Sequence, residues 1–460
     1  MKQYLRHAFY ITITISLAIS CRKEEFLDKK PNSTLLVPTT LEDFRKLLDN
    51  FSKINITGTL AEISSDNYFV SDVQTWQGLP VRERNAYIWA EDLFEGTNNI
   101  EDWNACYQQI LYANVVLEGL QNVNVTENNK NDYNWIKGWA HFIRGLAFFN
   151  LSQQFAKPYD AATSSSDLGI PLRLASDVTA TSTRNSIEET YNQILNDLNL
   201  ASILLPHKEP ASDRNRPYKN AAYALLARVY LNMRIYEKAL KYADSSLQLY
   251  STLINYNTVD QATSTPFDRL NAETIFQSSL GTTTVLRTTS SLALVDYLLY
   301  RSYNENDLRK ILFFRIVNGI PTYRKAGYSG ATLPFGGIAT DELYLIRAEA
   351  NARVGDVNAA MEDLNTLIAN RWANNGSWVP YEANSREEAL KIILDERRKE
   401  LVMRGLRWQD LRRLNKEGYN IMLTRRMNGE TYTLHPNSDR YVLPIPPDEI
   451  RLSGIQQNPR

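Results

Sequence analysis

The clearest alternation of apolar and polar positions lies in residues 387–413, near the C-terminus. Long or apolar side chains recur there at the spacing of one helix face: Leu390, Leu394, Arg397, Leu401, Arg404, Trp408 and Leu411. Two acid–base pairs, Asp395 with Lys399 and Glu400 with Arg404, stand one turn apart with the acid first, as in solvated pairs. The segment therefore predicts an amphipathic helical passage, with Trp408 as an anchor in the core.

Residues 341–371 predict a helix, a turn at Gly355-Asp356 and a second helix, which together make a hairpin docked on the 387–413 passage. An earlier stretch aligns with this hairpin at one constant offset: Ala227, Leu231, Tyr236 and Ala239 match Ala348, Ala352, Val357 and Ala360. Both sets are similar to tetratricopeptide geometry, and two more hairpins are inferred around 101–155 and 187–204. The expected fold class is mainly α: tetratricopeptide-like helical hairpins forming a scaffold, with loop-rich insertions and a few short strands.

Local signals predict the other elements. Thr39 or Thr40 should cap a helix over 41–50, and Ser186 with Glu189 forms a capping-box pattern before 187–204. Aromatic residues at helical spacing in 133–155 are expected in the core: Trp135, Trp139, Phe142, Phe148 and Phe149. Residues 60–100 are irregular, and 252–339 predict loops, short helices and a few edge strands.

Composition narrows the possible functions. The 460 residues are 43% hydrophobic and can bury a sizeable core. A formal charge of -1 provides no long-range field for a polyanion, so nucleic acid is a poor default partner. The two cysteines form no disulfide framework, and the four histidines are scattered singly, so no cofactor and no transition-metal site is expected.

The N-terminus has the pattern of a secretory leader. Lys2 and Arg6 precede an apolar run over 8–19, which is too short to span a bilayer as a helix. The run ends in small residues before Cys21, which resembles a lipoprotein processing site where the thiol is acylated. The alternative is a plain signal peptide with an incidental cysteine.

Three motifs in order resemble the SusD/RagB family of surface lipoproteins, which bind nutrients for a TonB-dependent outer-membrane transporter. They are ELYLIRAEA at 342–350, DERRKEL and RGLRWQDLRR at 395–401 and 404–413, and LPIP with QNP at 443–446 and 457–459. The resemblance weakens between about 252 and 337. It implies a signal peptide over 1–20, a lipidated arm over 21–38 and a single SusD-like domain over 39–460.

The resemblance further implies capture of a glycan or similar nutrient without chemistry, on an outer membrane and facing the cell exterior. The expected partners are an oligosaccharide, a SusC-like transporter and the membrane itself through the lipid on Cys21.

A ligand site is predicted in the loop-rich stretch, because loops on a rigid scaffold often carry binding residues. Trp76 and Tyr68 could stack on a sugar ring, while Asp66, Asn67 and Gln77 could fix its hydroxyls. The alternative is that Trp76 folds inward as a loop anchor. Two other aromatic groups remain candidates: Trp378 with Tyr381, and the helically spaced Tyr297, Tyr300 and Tyr303, for which packing is expected.

No nucleophile elbow, phosphate-binding glycine loop or metalloprotease motif is present in the sequence. Paired carboxylates such as Glu396 with Glu400, or Glu91 with Asp92, are interpreted as solvated helix faces, and Arg397, Arg404 and Arg407 as ion-pair partners of neighbouring helices. The protein is therefore not expected to be an enzyme. A surface glycoside hydrolase and a tetratricopeptide-type interaction scaffold remain as alternatives.

Overall fold

The structure, a computed structural model, describes residues 38–207, 213–323 and 328–460. Within these ranges, Thr40–Arg460 forms one unit by its internal contacts. The predicted signal peptide, Cys21 and nearly all of the predicted arm lie outside the described residues. None of the described helices combines the length and apolar character that crossing a bilayer requires.

Helices make up most of the regular structure in the described part of the chain, so the expectation of a mainly α fold is confirmed. In chain order they are α1 (Leu41–Leu48), α2 (Phe51–Ile54), α3 (Leu60–Ser64), α4 (Val73–Gln77), α5 (Val81–Tyr87), α6 (Glu101–Gly119), α7 (Lys130–Phe155), α8 (Ile187–Leu204), α9 (Lys219–Met233), α10 (Tyr236–Leu249), α11 (Tyr297–Ser302), α12 (Arg309–Phe313), α13 (Thr340–Val354), α14 (Val357–Ala369), α15 (Arg386–Glu400), α16 (Arg407–Asn415) and α17 (Pro447–Ser453).

Capping side chains fix where two of these helices begin. Ser186 accepts a hydrogen bond from the backbone N–H of Glu189, and the Glu189 side chain accepts one from the Ser186 backbone, which completes the predicted capping box of α8. Thr40 and Asp43 make the same reciprocal pair at the start of α1. Each box satisfies two N–H groups that the helix itself leaves unpaired.

The long helices pack mostly against their neighbours in sequence. α7 contacts α6 and α8, α9 contacts α10, and α13 contacts α10, α14 and α15. The aromatic residues of α7 form the centre of the core: Trp139, Phe142, Phe148 and Phe149 are fully buried, whereas Trp135 is only partly buried. The core prediction for this helix is thus confirmed for four of its five aromatic residues.

The two aligned hairpins turn at equivalent positions. α9 is followed by Arg234, whose φ is 62°, and α13 is followed by Gly355, whose φ is 102°. Both residues adopt the left-handed backbone conformation, which is common directly after a helix. The repeat therefore extends to the backbone of its turn, although only one copy has glycine there.

Short strands hold the insertions together. They are β1 (Ile56–Thr57), β2 (Tyr68–Phe69), β3 (Thr274–Phe276), β4 (Ser279–Leu280), β5 (Leu294–Val295), β6 (Phe314–Val317), β7 (Ile320–Tyr323), β8 (Ile338–Ala339), β9 (Leu423–Met427) and β10 (Glu430–Leu434). The largest sheet has the order β2-β5-β7-β6, and its pairs are antiparallel. β1 pairs with β4 in parallel, and β3 with β8 and β9 with β10 are antiparallel.

The predicted helical passage over 387–413 is interrupted. α15 ends at Glu400 and α16 begins at Arg407, because the intervening segment turns through two left-handed residues, Met403 with φ 59° and Gly405 with φ 74°. Trp408 is fully buried, as expected for an anchor.

The expectation that Glu396 and Glu400 lie on a solvated face is wrong, since both carboxylates are buried. They share the guanidinium of Arg309 at 2.6 and 3.0 Å, and Arg371 lies 2.9 Å from Glu400. Lys399 pairs with Glu396 rather than with Asp395. Burial of charge on this scale is tolerated only where each group is paired and hydrogen-bonded.

The interpretation of the three motif arginines as ion-pair partners of neighbouring helices is confirmed for Arg397 and Arg404, whereas the partner of Arg407 lies in the loop between α3 and β2. Arg397 binds Asp410 at 2.9 Å, Arg407 binds Asp66 at 2.7 Å and Arg404 binds Asp341.

Candidate functional site

The loop-rich stretch after β1 is organised around the buried carboxylate of Glu62 on α3. It accepts hydrogen bonds from the Asn67 amide at 2.8 Å, from the Ser65 hydroxyl at 3.2 Å and from the Gly405 backbone at 2.9 Å. Burial raises the pKa of Glu62, although these hydrogen bonds oppose the shift. The buried Glu62 carboxylate therefore holds the loop in place and joins it to the segment between α15 and α16.

A second buried carboxylate joins the same stretch to a distant segment. Glu83 on α5 accepts from the backbone N–H groups of Thr284 and Val285 at 2.8 and 2.9 Å. The Arg82 guanidinium donates to the Thr282 carbonyl at 3.2 Å. Together with the β2–β5 pairing, these contacts hold the 60–87 stretch next to the 282–323 segment.

Two of the five predicted ligand residues are turned inward, which corrects the prediction for them. Tyr68 is only 3% exposed, and its hydroxyl donates to the Ile63 carbonyl at 2.9 Å. The Arg425 guanidinium lies 5.4 Å from the centre of the Tyr68 ring. Asn67 is buried with its amide on Glu62. Neither side chain has the free surface that stacking on a sugar or binding its hydroxyls requires.

Asp66 lies nearer the surface, but its carboxylate is held by arginines. Arg407 makes a forked pair with it at 2.7 and 2.8 Å, and Arg398 lies 3.2 Å away. Burial alone would raise the pKa of Asp66, yet the two guanidinium groups hold it well below its usual range. Asp66 is thus a permanent anion whose oxygens face cations of the fold.

Trp76 and Gln77 remain accessible. Trp76 on α4 is partly buried against the core, and its indole Nε1 donates to the Arg84 carbonyl at 2.9 Å. Gln77 is exposed. Because one edge of the indole is fixed while part of the ring stays open, Trp76 combines both roles considered for it, loop anchor and accessible ring.

Sequence reasoning missed several exposed apolar side chains on and next to the four-stranded sheet. They lie on β2, β6, β7 and α11: Phe69, Ile316, Ile320, Tyr297 and Leu298. The expectation of packing was wrong for Tyr297, which is 58% exposed, and correct for Tyr303, whose buried hydroxyl donates to the Lys399 carbonyl. Helical spacing alone could not separate the two, because α11 is short and only one of its faces meets the core.

The second predicted aromatic group lies on the loop after α14. The Trp378 ring is 5.2 Å from that of Trp372 and 5.7 Å from that of Tyr381, and all three are partly buried. The Tyr381 hydroxyl donates to Glu396 at 2.8 Å. Trp372 and Trp378 thus form a pair braced from below by Tyr381.

A cleft of about 300 Å³ separates α6 from the segment over 171–182. Trp103, Tyr107, Arg173 and Glu449 are among its lining residues. The volume is at the lower end of the range for small-ligand sites. This cleft was not predicted from the sequence, because Trp103 and Tyr107 both fit the helical core pattern of α6.

Glu273, Asp341 and Glu400 form the cluster of acidic side chains, in the described residues, that most resembles a cation site, with oxygens within 4.8 Å of one another. Arg371 lies 2.7 Å from Glu273 and 2.9 Å from Glu400, and Arg404 binds Asp341. Since these guanidinium groups already neutralise the oxygens that a metal ion would need, the arrangement favours an ion-pair network.

Comparison with known proteins gives family matches on both sides of residues 232–316. The SusD-like model described as "Starch-binding associating with outer membrane" matches residues 25–231, and the model of the SusD family matches 317–460. The SusD-like protein P2 of Formosa agariphila is 24% identical over 420 residues, covering 77% of this chain and 79% of that protein.

Solved structures show the same fold. A SusD superfamily protein from Bacteroides thetaiotaomicron superposes with a TM-score of 0.74 at 22% identity, covering 92% of this chain and all of the other. A SusD-like carbohydrate binding protein from Bacteroides vulgatus gives 0.67 at 19% identity, covering 91% and 97%. With both family models matched in order and the fold shared along nearly its whole length, this chain belongs to the SusD/RagB family.

Proposed function

We propose that this protein is a cell-surface lipoprotein that captures a glycan or similar nutrient and delivers it to a SusC-like TonB-dependent transporter of the outer membrane. Family membership supports a binding function at the outer membrane, since one of the two family models that match this chain is described as "Starch-binding associating with outer membrane". Binding without chemistry accounts for the carboxylates best, because Glu396 and Glu400 are both paired with Arg309 inside the fold.

The observation that carries the proposal is the partly open indole of Trp76 on a braced loop. A sugar presents polarised C–H groups that stack on an aromatic face, and a ring that is already fixed loses little conformational entropy when it binds. The Nε1 bond to Arg84 and the cap of α4 by Asp72 hold the ring in place before any ligand arrives.

The remaining residues of the predicted site have different roles in this proposal. Gln77, next to Trp76, supplies an exposed amide for ligand hydroxyls. Asp66, Asn67 and Tyr68 shape the loop from within and do not touch the ligand. The exposed Tyr297 on α11 extends the aromatic surface on the 282–323 side.

The anchor completes the proposal. Acylation of Cys21 would tether the protein to the outer membrane, facing the cell exterior, while the arm over 21–38 links the lipid to the folded unit. Stable tethering needs more than one acyl chain, as lipoproteins of this kind carry.

Incubation of the purified protein with a panel of neutral polysaccharides tests the function. We expect retention of one or more polymers with no release of new reducing ends. Release of reducing ends would establish the hydrolase alternative. Retention of no polymer, together with saturable binding of a peptide in the cleft lined by α10, α13 and α14, would establish the interaction scaffold.

A further inference from the structure

A small pocket near the C-terminal end of α7 has an unusual cation at its base. The pocket has a volume of about 130 Å³, and its charged lining residues are Lys157, Arg412, Lys416 and Asp439. Asn437, Ser438 and Tyr441 add polar groups to the lining. Three cations and one carboxylate thus line a space much smaller than a sugar-binding cleft.

Arg412 on α16 is almost fully buried, yet it binds no carboxylate among the described residues. Its terminal nitrogens donate to the carbonyls of Gln153 and Ala156, at the end of α7, and its Nε is buried without a hydrogen-bond partner. Burial lowers the pKa of Arg412 to about 10, opposed only by the phenols of Tyr191 and Tyr441. Helix-terminal carbonyls offset part of a positive charge, and the rest is left without a counterion.

Other buried arginines of this fold are compensated differently. Arg309, Arg371 and Arg413 each bind two or more carboxylates. Arg425, which also donates to backbone carbonyls, has the rings of Tyr87 and Trp89 at 3.8 and 4.8 Å. An arginine with neither kind of compensation, next to a pocket, is a group that an anion would stabilise.

The two lysines of the pocket are near its rim and already have partners. Lys157 lies 3.0 Å from Asp167, and Lys416 lies 3.3 Å from Asp160. Both pairs are partly solvated, so they are weak enough for a lysine to turn toward a bound anion. The carboxylate of Asp439 is exposed at the same rim and would repel a bound anion.

We propose that this pocket binds one oxyanion, either a free phosphate or sulfate ion or the sulfate or carboxylate group of an acidic glycan, with Arg412 as its main partner. Ser438 and Asn437 would donate to further oxygens of the anion, and Lys157 and Lys416 would close over it. This site is separate from the Trp76 surface and does not depend on the function proposed above.

The test is a titration of the purified protein with sodium phosphate and sodium sulfate at constant ionic strength, followed by calorimetry and thermal unfolding. We expect a saturable heat and a saturable rise in melting temperature, since a ligand that binds only the folded state stabilises it. Lys157→Met and Lys416→Met should each weaken binding at least about threefold, because each removes one charge-assisted contact. Asp439→Asn should tighten it.

Two further variants keep the test decisive. Arg412→Gln should abolish saturable binding, with circular dichroism showing that the chain still folds. Lys391→Met removes an exposed lysine of α15, which pairs with Asp395 at 3.5 Å, and should leave binding unchanged. Equal stabilisation of every variant by either salt, or no saturable heat with wild type, would overturn the proposal.

A competition arm then identifies the source of the anion. A sulfated oligosaccharide that displaces phosphate, where its neutral counterpart does not, assigns the pocket to an acidic glycan. Binding of phosphate that no oligosaccharide displaces assigns it to the free ion.

Discussion

The side chains of the loop site differ mainly in how much of their surface and hydrogen-bonding capacity the fold already uses. The fold already binds three of them: Tyr68 is hydrogen-bonded to Ile63, Asn67 to Glu62 and Asp66 to Arg407. Trp76 uses one N–H, and its ring stays partly open. Affinity and stability should therefore respond to different residues of the same short segment.

Trp76→Ala should weaken glycan binding about tenfold or more while the protein stays folded. Loss of a stacking platform costs roughly 1 to 3 kcal/mol in the comparable case of nucleic-acid bases. Isothermal titration with the polymer retained by wild type measures the effect. Tyr68→Phe is the matched control: it removes a buried hydroxyl, so it should lower stability by about 1 kcal/mol and leave affinity intact. Wild-type affinity in Trp76→Ala would move the site toward Trp378 or Tyr297.

Trp408→Ala should lower the free energy of unfolding by about 3 to 5 kcal/mol, because the ring is fully buried and leaves a cavity. Its ring lies 4.7 Å from that of Tyr441, which would lose its packing partner. Urea unfolding measures the loss. Trp378→Ala, where the ring is only partly buried, should cost clearly less. A Trp408 variant that is stable but has lost ligand binding would show that this residue belongs to a site.

At the scale of elements, the aligned hairpins allow a direct comparison of two turns. Gly355→Ala should destabilise the protein by about 1 kcal/mol, because an alanine at φ 102° is strained although its Cβ would meet no atom within 4 Å. At the equivalent position in the other hairpin, Arg234→Gly should stabilise by a similar amount. Thermal unfolding of the two variants measures both effects. Changes of the same sign in both variants would show that side-chain contacts, and not backbone conformation, decide these turns.

Elements with strong local signals were predictable from the sequence. The capping box and periodicity of α8 predicted where this helix begins and ends. The small residues of the two hairpins predicted that their helices pack closely. The break at 401–406 was not predictable, because Leu401 and Arg404 keep the helical spacing that the backbone abandons. The charge pattern of Glu396 and Glu400 is also ambiguous, since acids on a helix look alike in sequence whether they face water or a buried arginine.

The loop site was only partly predictable for a related reason. Its stretch was identified from composition, but which side chains point outward depends on partners far along the chain. Glu83 meets Thr284, Asp66 meets Arg407 and Tyr68 meets Arg425. No local pattern contains such pairings.

For the whole molecule, the buried ion network predicts how stability varies with pH. Burial, reinforced by the nearby charges of Glu273 and Glu400 and opposed by Arg404, raises the pKa of Asp341 from 3.8 to about 7. The folded state therefore holds this proton at pH values where the unfolded chain has released it. The stabilisation is fully present below pH 3.8 and is lost as the pH rises toward 7.

Asp341→Asn, which mimics the protonated side chain, isolates this effect from other carboxyl groups. The free energy of unfolding of wild type should fall relative to the variant as the pH rises through this window, by at most about 1.4 kcal/mol per pH unit. Urea unfolding of both proteins at a series of pH values measures the difference. A difference that stays constant with pH would mean that Asp341 is charged throughout.

Attachment to the membrane is also a property of the whole molecule. Cys21→Ala should release the protein from the membrane fraction into the soluble fraction, because the proposed anchor is an acyl group on this thiol. Cell fractionation and immunoblotting measure the change, and Cys106→Ala, at a buried cysteine of α6, should leave the distribution unchanged. Unchanged fractionation of the Cys21 variant would rule out lipid tethering at this residue.

The network around Arg371 also bears on how the chain reaches its native state. Arg371 joins Glu273, in the loop-rich 252–339 region, to Glu400 at the end of α15, and Arg309 joins α12 to the same helix. Until the 252–339 region docks, the C-terminal helices would have to bury carboxylates and guanidinium groups without their partners, which is costly in free energy. The motif-bearing helices and the loop-rich 252–339 region should therefore become ordered together, as one cooperative folding unit.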